Sequence, residues 1–427
     1  MNSDTPPQSP PIETDQQPLI GFAALMRMGL SGIDLLPLGT RLIEHLKLHP
    51  NDANALLDLS IVLQLRRSPD IALNVQAMAL EIKQLYRFPA ATGQVGLQLL
   101  AIMGPGDIRA NTPIEFLLEN SDVALDLLYL VPGKPFPASV PDHHVLFIAV
   151  AESDQNRQLL RSIEEYLESW PRPVLNRPDR IAYMSRNKVV ELLQSAPGLV
   201  IPVSTRIGRQ ILEQVGRAEL SITAFIPDGD FPIIARPVDS HAGHGLSKLD
   251  NPESLADYLQ SMPDDQFYIA RFVDYRGPDG LFRKFRIALI DGRPFACHMA
   301  ISEHWMIHYL NAGMTESPEK RAEEAAFMAG FDTDFATRHK AALRAIHERM
   351  GLDYLAIDCA ETDTGELLIF EVDTSMVVHA MDPVDIFPYK QPQMKKLFAA
   401  FRAMLAKAAQ SDTPPRLMQS SSAGEGS

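Results

Sequence analysis

Residues 351–373 read GLDYLAIDCAETDTGELLIFEVD. The segments YLAIDCAE and LLIFEVD have the apolar, β-branched character of strands. Thr362–Gly365 (TDTG) is a turn signal between them, so the stretch reads as a β-hairpin. Residues two apart on a strand share a face. Glu371 and Asp373 therefore project together, with Phe370 and Val372 on the other side. Asp358, on the paired strand, can fall across from them. Three carboxylates on one face repel unless a cation neutralises them. Mg²⁺ takes few carboxylates plus phosphate oxygens, so it suits the set. A solvated outer face is the plainer alternative, but the regular apolar alternation speaks against it.

Upstream, residues 233–246 read IIARPVDSHAGHGL. An apolar strand ends in Arg236 and enters a loop holding Gly243 and Gly245. Glycine admits positive φ and lets backbone N–H groups approach a ligand closely. Such a loop can cover a triphosphate while Arg236 contacts its oxygens. His241 and His244 flank the glycines, with no role assigned. Between loop and hairpin lie FYIARFV at 267–273 and RKFRIALIDGRP at 283–294. The first is read as an apolar hinge strand for adenine. The second is a strand–turn–strand unit opening on Arg283, Lys284 and Arg286, cations suited to anions opposite a polyphosphate.

Around this core, 427 residues allow two to four domains. The 46% hydrophobic and 22% charged composition is that of a globular protein, and no apolar run reaches the length of a bilayer span. The N-terminus does not read as a signal peptide. Cys297 and Cys359 fit neither a disulfide framework nor a zinc spacing, which suggests a reducing, cytoplasmic location. A net charge of −15 argues against nucleic acid as a partner. Neither is a membrane partner expected.

The chain divides into a Pro-rich tail at 1–18, a helical region at 19–92, an α/β region at 93–175, the motif-bearing region at 176–408 and a second tail at 409–427. In the helical region, Asp52 and Ser68 are expected helix N-caps, and Pro69 suits a first helical turn. Its Pro-Asn-Asp opening and Ala-rich second helix resemble one tetratricopeptide unit with a partial neighbour. That region is either a docking surface for a protein partner or a cap over apolar surface. In the α/β region, VGLQLLAIM, ALDLLYLV and HHVLFIAVA are expected parallel strands, and Asp154–Trp170 an amphipathic helix. His143 and His144 are expected to be structural.

Taken together, residues 172–385 resemble the ATP-grasp superfamily, most of all its glutathione synthetase and ribosomal-protein glutamate ligase branch. The matching segments, in family order, are PVLNRPDRIAYMSRNKVVELL, IIARPVDSHAGHGL, KFRIALIDGRPF and AIDCAETDTGELLIFEVDTSM. The resemblance implies an α/β fold (the α+β ATP-grasp type) preceded by the tetratricopeptide-like helices. It implies ATP and Mg²⁺ as cofactors, with Asp358, Glu371 and Asp373 holding the metal. Arg236 stands where the family has a phosphate-binding Lys, and Arg206 or Arg209 near its other one. Gly243 and Gly245 lie in the phosphate loop, and Ala270, Arg271, Phe272 and Val273 match the adenine hinge. Arg286 matches the Arg facing the γ-phosphate, and Asn311 falls in the loop at the reaction centre. Departures are the Arg-for-Lys exchanges, Asp373 in place of an Asn, and Ser375-Met376 in the closing turn.

The activity implied is carboxylate–amine ligation: a small acid is activated as an acyl phosphate and captured by an amine substrate. His298–Gly313, with Glu303, His304, Trp305, His308, Tyr309 and Asn311, is the expected source of substrate choice. Two other readings stay open. One is a kinase passing the γ-phosphate to a hydroxyl. The other is a non-catalytic nucleotide-binding scaffold or regulatory protein.

Overall fold

The computed structural model describes residues 16–226, 229–238, 240, 243–307 and 309–411. His241 and His308, and nearly all of both tails, lie outside these residues.

Four helices come first: α1 (Phe22–Leu30), α2 (Leu36–Leu48), α3 (Ala53–Leu65) and α4 (Pro69–Ile82). Asp52 caps α3 as expected, accepting the N–H groups of Asn54 and Ala55 at 3.0 and 3.1 Å. Ser68 makes no side-chain cap bond, so Pro69 in the first turn marks the start of α4 without it. α3 is buried almost all round. Ala53, Leu56 and Leu57, with Ala79 and Leu80 of α4, share one apolar cluster with the strands that follow. The helices thus cover a sheet.

That sheet comprises β1 (Leu85–Phe88), β2 (Leu97–Met103), β3 (Val123–Tyr129), β4 (Val145–Ile148) and β5 (Val174–Leu175), in the order β1-β3-β2-β4-β5. β2 to β5 pair in parallel, as their unbroken apolar runs imply. The helical region expected at 19–92 does not stay helical to its end. Instead the helix stops at Ile82, and Leu85–Phe88 adds an antiparallel edge strand. Tyr86, fully buried between the α3–α4 pair and Tyr129, overrides the helical pattern there. His143 accepts from the Trp170 indole and His144 from the Gln98 amide, both structural roles.

Two further sheets carry the motifs. β6 is Leu199–Val200, β7 Thr205–Gly208, β8 Ile233–Pro237, β9 Ser247–Leu249 and β10 Gln266–Arg271. β11 is Phe282–Ile290, β12 Arg293–Ser302, β13 Tyr354–Glu361 and β14 Leu367–Asp373. The middle sheet runs β7-β10-β8-β9 and is antiparallel throughout. The last runs β12-β11-β13-β14-β6. The β13–β14 hairpin closes at Gly365, φ 80°, where the Thr362 N–H reaches the Glu366 carbonyl. The C-terminal helix Lys390–Ala409 buries Met394, Leu397 and Phe401 in the cluster that also holds the first sheet.

Candidate active site

Strand register builds one side of the site. Arg286 on β11 stands opposite Asp358 on β13, and Asp358 opposite Glu371 on β14. Directly opposed residues share a face, so the three form a row. His298 on β12 extends it, opposite Arg286. Lys284 and Asp373 lie two residues from row members and share the face. Arg283, one residue out of phase, instead pairs with Asp279 and Glu323.

The row is densely ion-paired. Arg286 grips both oxygens of Asp358, at 2.8 and 3.0 Å, and Lys284 Nζ lies 2.6 Å from the second oxygen. Burial raises the Asp358 carboxyl, but the Arg286 and Lys284 charges outweigh it and hold it well below the usual range. Glu371 accepts from Arg186 at 2.5 Å. Burial raises Glu371 too, and the Arg186 and Arg236 charges bring it down below its ordinary value. Asp373 accepts from Ser375, which donates from its N–H at 2.9 Å and its hydroxyl at 2.7 Å. Burial and the Glu371 charge push Asp373 upward. Among the described residues, no three His, Cys, Asp or Glu side chains converge to hold a metal. Of the three carboxylates expected to hold a metal, Asp358 faces its neighbours' cations, and Glu371 and Asp373 form a like-charged pair.

The middle sheet supplies the other side. Arg206 on β7 and Arg236 on β8 both stand opposite Tyr268 on β10, forming a second row. Arg206 pairs with Asp154 at 2.9 Å. Arg236 donates to the Ser240 hydroxyl at 3.2 Å and to the Ser240 carbonyl. Burial, then the Arg186 charge, push Arg236 down to about 10, with Glu371 opposing. The charges of Arg236 and of the Arg186–Glu371 pair thus act on one another. Arg209 is different. Its guanidinium donates to the carbonyls of Leu259, Met262 and Asp264, which ties it to the end of the helix Pro252–Ser261 and the turn beyond.

Gly243 and Gly245 adopt φ of 73° and 65°. A Cβ at Gly245 would lie 2.6 Å from Pro237 Cδ, so both conformation and close approach require glycine there. In the hinge segment, Ala270 and Arg271 pair with Ile234 and Ile233 of β8. The Phe272 N–H donates to the Pro232 carbonyl at 2.9 Å, with Lys248 Nζ 5.1 Å from its ring centre. Val273 packs on the main core. Asn311 ends a single 3₁₀ turn, Tyr309–Asn311, and is exposed, while Tyr309 turns inward. Cys297 and Cys359 are buried free thiols, with burial pushing both upward.

Sequence reasoning passed over Arg186, the partner of Glu371, and the buried pair Lys390 and Glu324. Arg186 opens the helix Arg186–Leu193, inside a segment already singled out, but only three-dimensional packing brings it to β14. For Lys390 and Glu324 the sequence carries no signal beyond two charges in otherwise amphipathic helices.

No family model matches the chain, and no curated protein matches it. Solved structures do show likenesses. A D-alanine–D-alanine ligase from Bacillus anthracis, complexed with ATP, is 14% identical over 74% of this chain and 98% of its own, with a TM-score of 0.44. The VanG D-Ala:D-Ser ligase from Enterococcus faecalis is 13% identical over 72% and 99%, with a TM-score of 0.44. A RimK domain ATP-grasp protein from Sphaerobacter thermophilus is 14% identical over 73% and 100%, with a TM-score of 0.41. At such scores the site's own residues must carry the functional reading.

Proposed function

We propose that this chain is an ATP-dependent carboxylate–amine ligase of the ATP-grasp type. The observation that carries the reading is the like-charged pair Glu371 and Asp373, set among Arg186, Arg236, Lys284 and Arg286, cations from both motif-bearing sheets and the helix Arg186–Leu193. Two carboxylates on one strand face, one of them pushed up by burial and by the other's charge, suit a divalent cation. Glu371 and Asp373 would hold Mg²⁺, while Asp358 is engaged by Arg286 and Lys284. Bound there, Mg²⁺ would supply charge neutralisation for a polyphosphate.

The protein's own cations would do the rest. Arg236, with Arg206 beyond Tyr268, suits the triphosphate beneath the Gly243–Gly245 loop. Arg286, fixed by its two bonds to Asp358, would face the phosphoryl group in flight. An acid's carboxylate would attack the γ-phosphorus, releasing ADP. An amine would then displace phosphate from the acyl phosphate, losing a proton and leaving an amide. No protein nucleophile is required, in keeping with two buried thiols.

α3 and α4 of the helical segment share the apolar cluster of the first sheet, which supports a covering role for them. Among the described residues no helix is long and apolar enough to cross a membrane.

The test is nucleotide turnover. Purified protein, ATP and Mg²⁺ are incubated with pooled amino acids and small acids, and ADP and phosphate are measured beside Glu371→Ala. Pool-dependent ADP release, lost in the variant, is expected, with an amide found by mass spectrometry. A phosphate ester instead would make the enzyme a kinase. A binding-only scaffold is the second reading, favoured by the engagement of Arg286 and Lys284 with Asp358. Glu371-dependent ATP binding without turnover in any pool would decide for it.

A further inference from the structure

A second buried ion network lies beside the row and takes no part in the scheme above. Lys390 is 1% exposed and Glu324 is fully buried. Lys390 Nζ lies 3.2 Å from Glu324 and 3.3 Å from Asp382, and donates to the Tyr309 hydroxyl. It also sits 4.0 Å from the Tyr309 ring centre and 4.6 Å from that of Phe387. Glu324 in turn accepts the Met299 N–H at 3.0 Å, the Tyr389 hydroxyl at 2.6 Å and the Tyr309 hydroxyl at 3.3 Å. Burying this many charges is costly unless each is paired and hydrogen-bonded, as these are.

Through Tyr309 the network reaches one loop. Tyr309 starts the segment 309–315, and its ring lies 4.6 Å from that of His298. His298 stands opposite Arg286 in the ion-paired row. From the helix Pro318–Gly330, Lys320 donates to the Ala312 carbonyl at 2.6 Å. Arg321 donates to the Met314 carbonyl at 3.0 Å and to the Thr315 carbonyl at 2.5 Å. Three charged side chains within one and a half turns of that helix thus hold a single loop. Exposed backbone polar groups would otherwise be left to water, and such loops are usually mobile. This one is stapled from beneath.

We propose that Lys390 and Glu324 are positioning residues. They fix Tyr309 against His298 and make residues 309–315 a rigid wall beside Arg286, with exposed Asn311 on its rim. The wall sets the acceptor side of the cleft, where the acid or amine binds, and leaves the nucleotide side unaffected. That assignment of the wall to the acceptor rests on the ligase reading; its rigidity does not.

The test uses the full chain, with Tyr309→Phe and Lys390→Met. Amide hydrogen exchange is followed by mass spectrometry, and ATP affinity is measured in parallel. Exchange in 309–315 is expected to quicken at least tenfold in both variants. The hairpin 354–373 and the strand 266–271 should keep wild-type rates, and ATP affinity should stay within twofold. Where a pool component supports turnover, its KM should rise fivefold or more while the KM for ATP holds. Unchanged exchange in 309–315, or equal loosening everywhere, overturns the proposal. Should Lys390→Met not fold, Tyr309→Phe removes only the hydroxyl and still decides. If wild-type protein releases no ADP with any pool, the ligase reading falls, and the exchange pattern alone upholds or overturns the wall.

Discussion

Arg286 holds Asp358 through both carboxylate oxygens, at 2.8 and 3.0 Å, on neighbouring strands whose register sets them face to face. The carboxylate is 2% exposed and receives Lys284 as well. So saturated a group has little to offer a metal ion. Its work is to fix two cations.

Asp358→Asn should therefore separate stability from metal affinity. Two partly buried cations lose their counter-charge, and unfolding free energy should fall by about 3 kcal/mol in denaturant titrations. Mn²⁺ affinity with an ATP analogue, read by electron paramagnetic resonance, should change by less than about threefold. Glu371→Gln should weaken it by about tenfold or more. Equal losses in the two variants would return Asp358 to the metal's ligands.

Asp373 behaves in the opposite sense. Its carboxyl is raised by burial and by the Glu371 charge. A group raised in the folded state contributes stability below the ordinary carboxylate pKa, about 4, and loses it as pH climbs through the raised value. The apo protein should thus be stabilised at neutral pH by Asp373→Asn, seen as a higher Tm, with little change near pH 4. Mg²⁺ should raise the wild-type Tm more at neutral than at acid pH, and the variant's less than the wild type's. A lower apo Tm for the variant at neutral pH would show the pair is not strained.

Arg186 bonds Glu371 at 2.5 Å and the Phe370 carbonyl at 3.1 Å, while both charged side chains keep partial solvent contact. Partly exposed pairs contribute about 1 kcal/mol or less to stability. Arg186→Met should accordingly leave the Tm nearly unchanged. Its charge lies near both Glu371 and Arg236, so ATP affinity should fall by about tenfold, measured by calorimetry. An unaltered affinity would place the nucleotide elsewhere.

Much of this site is legible in the sequence because strand periodicity is local. The alternation in LLIFEVD puts Glu371 and Asp373 on one face, and the TDTG turn sets Asp358 across from them, as the register has it. What periodicity cannot reveal is which charge answers which. Lys284 and Arg286 stand out as cations, but their service to Asp358 depends on β11 lying next to β13, a pairing across some seventy intervening residues. Arg209 shows the same gap: nothing local tells a phosphate ligand from a residue tying down the turn at Met262–Asp264. Leu85–Phe88, inside the region expected to be helical, departs from it for a related reason: a helical pattern continues into it, and only the neighbouring strand β3 draws it into a sheet.

The N-terminal segment is bound by carboxylates in an unusual manner. Gln17 donates its N–H to Asp52 at 2.8 Å, Ile20 and Gly21 theirs to Asp58 at 2.8 and 2.9 Å, and Phe22 and Ala23 theirs to Glu115 at 3.2 and 3.0 Å. Burial pushes Glu115 up to about 7 and Asp58 up to about 6, against the pull of those bonds. Both values lie above the ordinary carboxylate range, so each group stabilises the fold most when protonated, and that stability is lost as pH rises through the folded values. Amide exchange in α1, corrected for intrinsic rate, should quicken between about pH 5 and pH 8. Glu115→Gln stays neutral throughout, so its α1 should show a shallower rise, centred on the Asp58 value. A wild-type slope retained in Glu115→Gln would mean that Glu115 does not titrate with the helix, and that the strap is held at every pH by its hydrogen bonds alone.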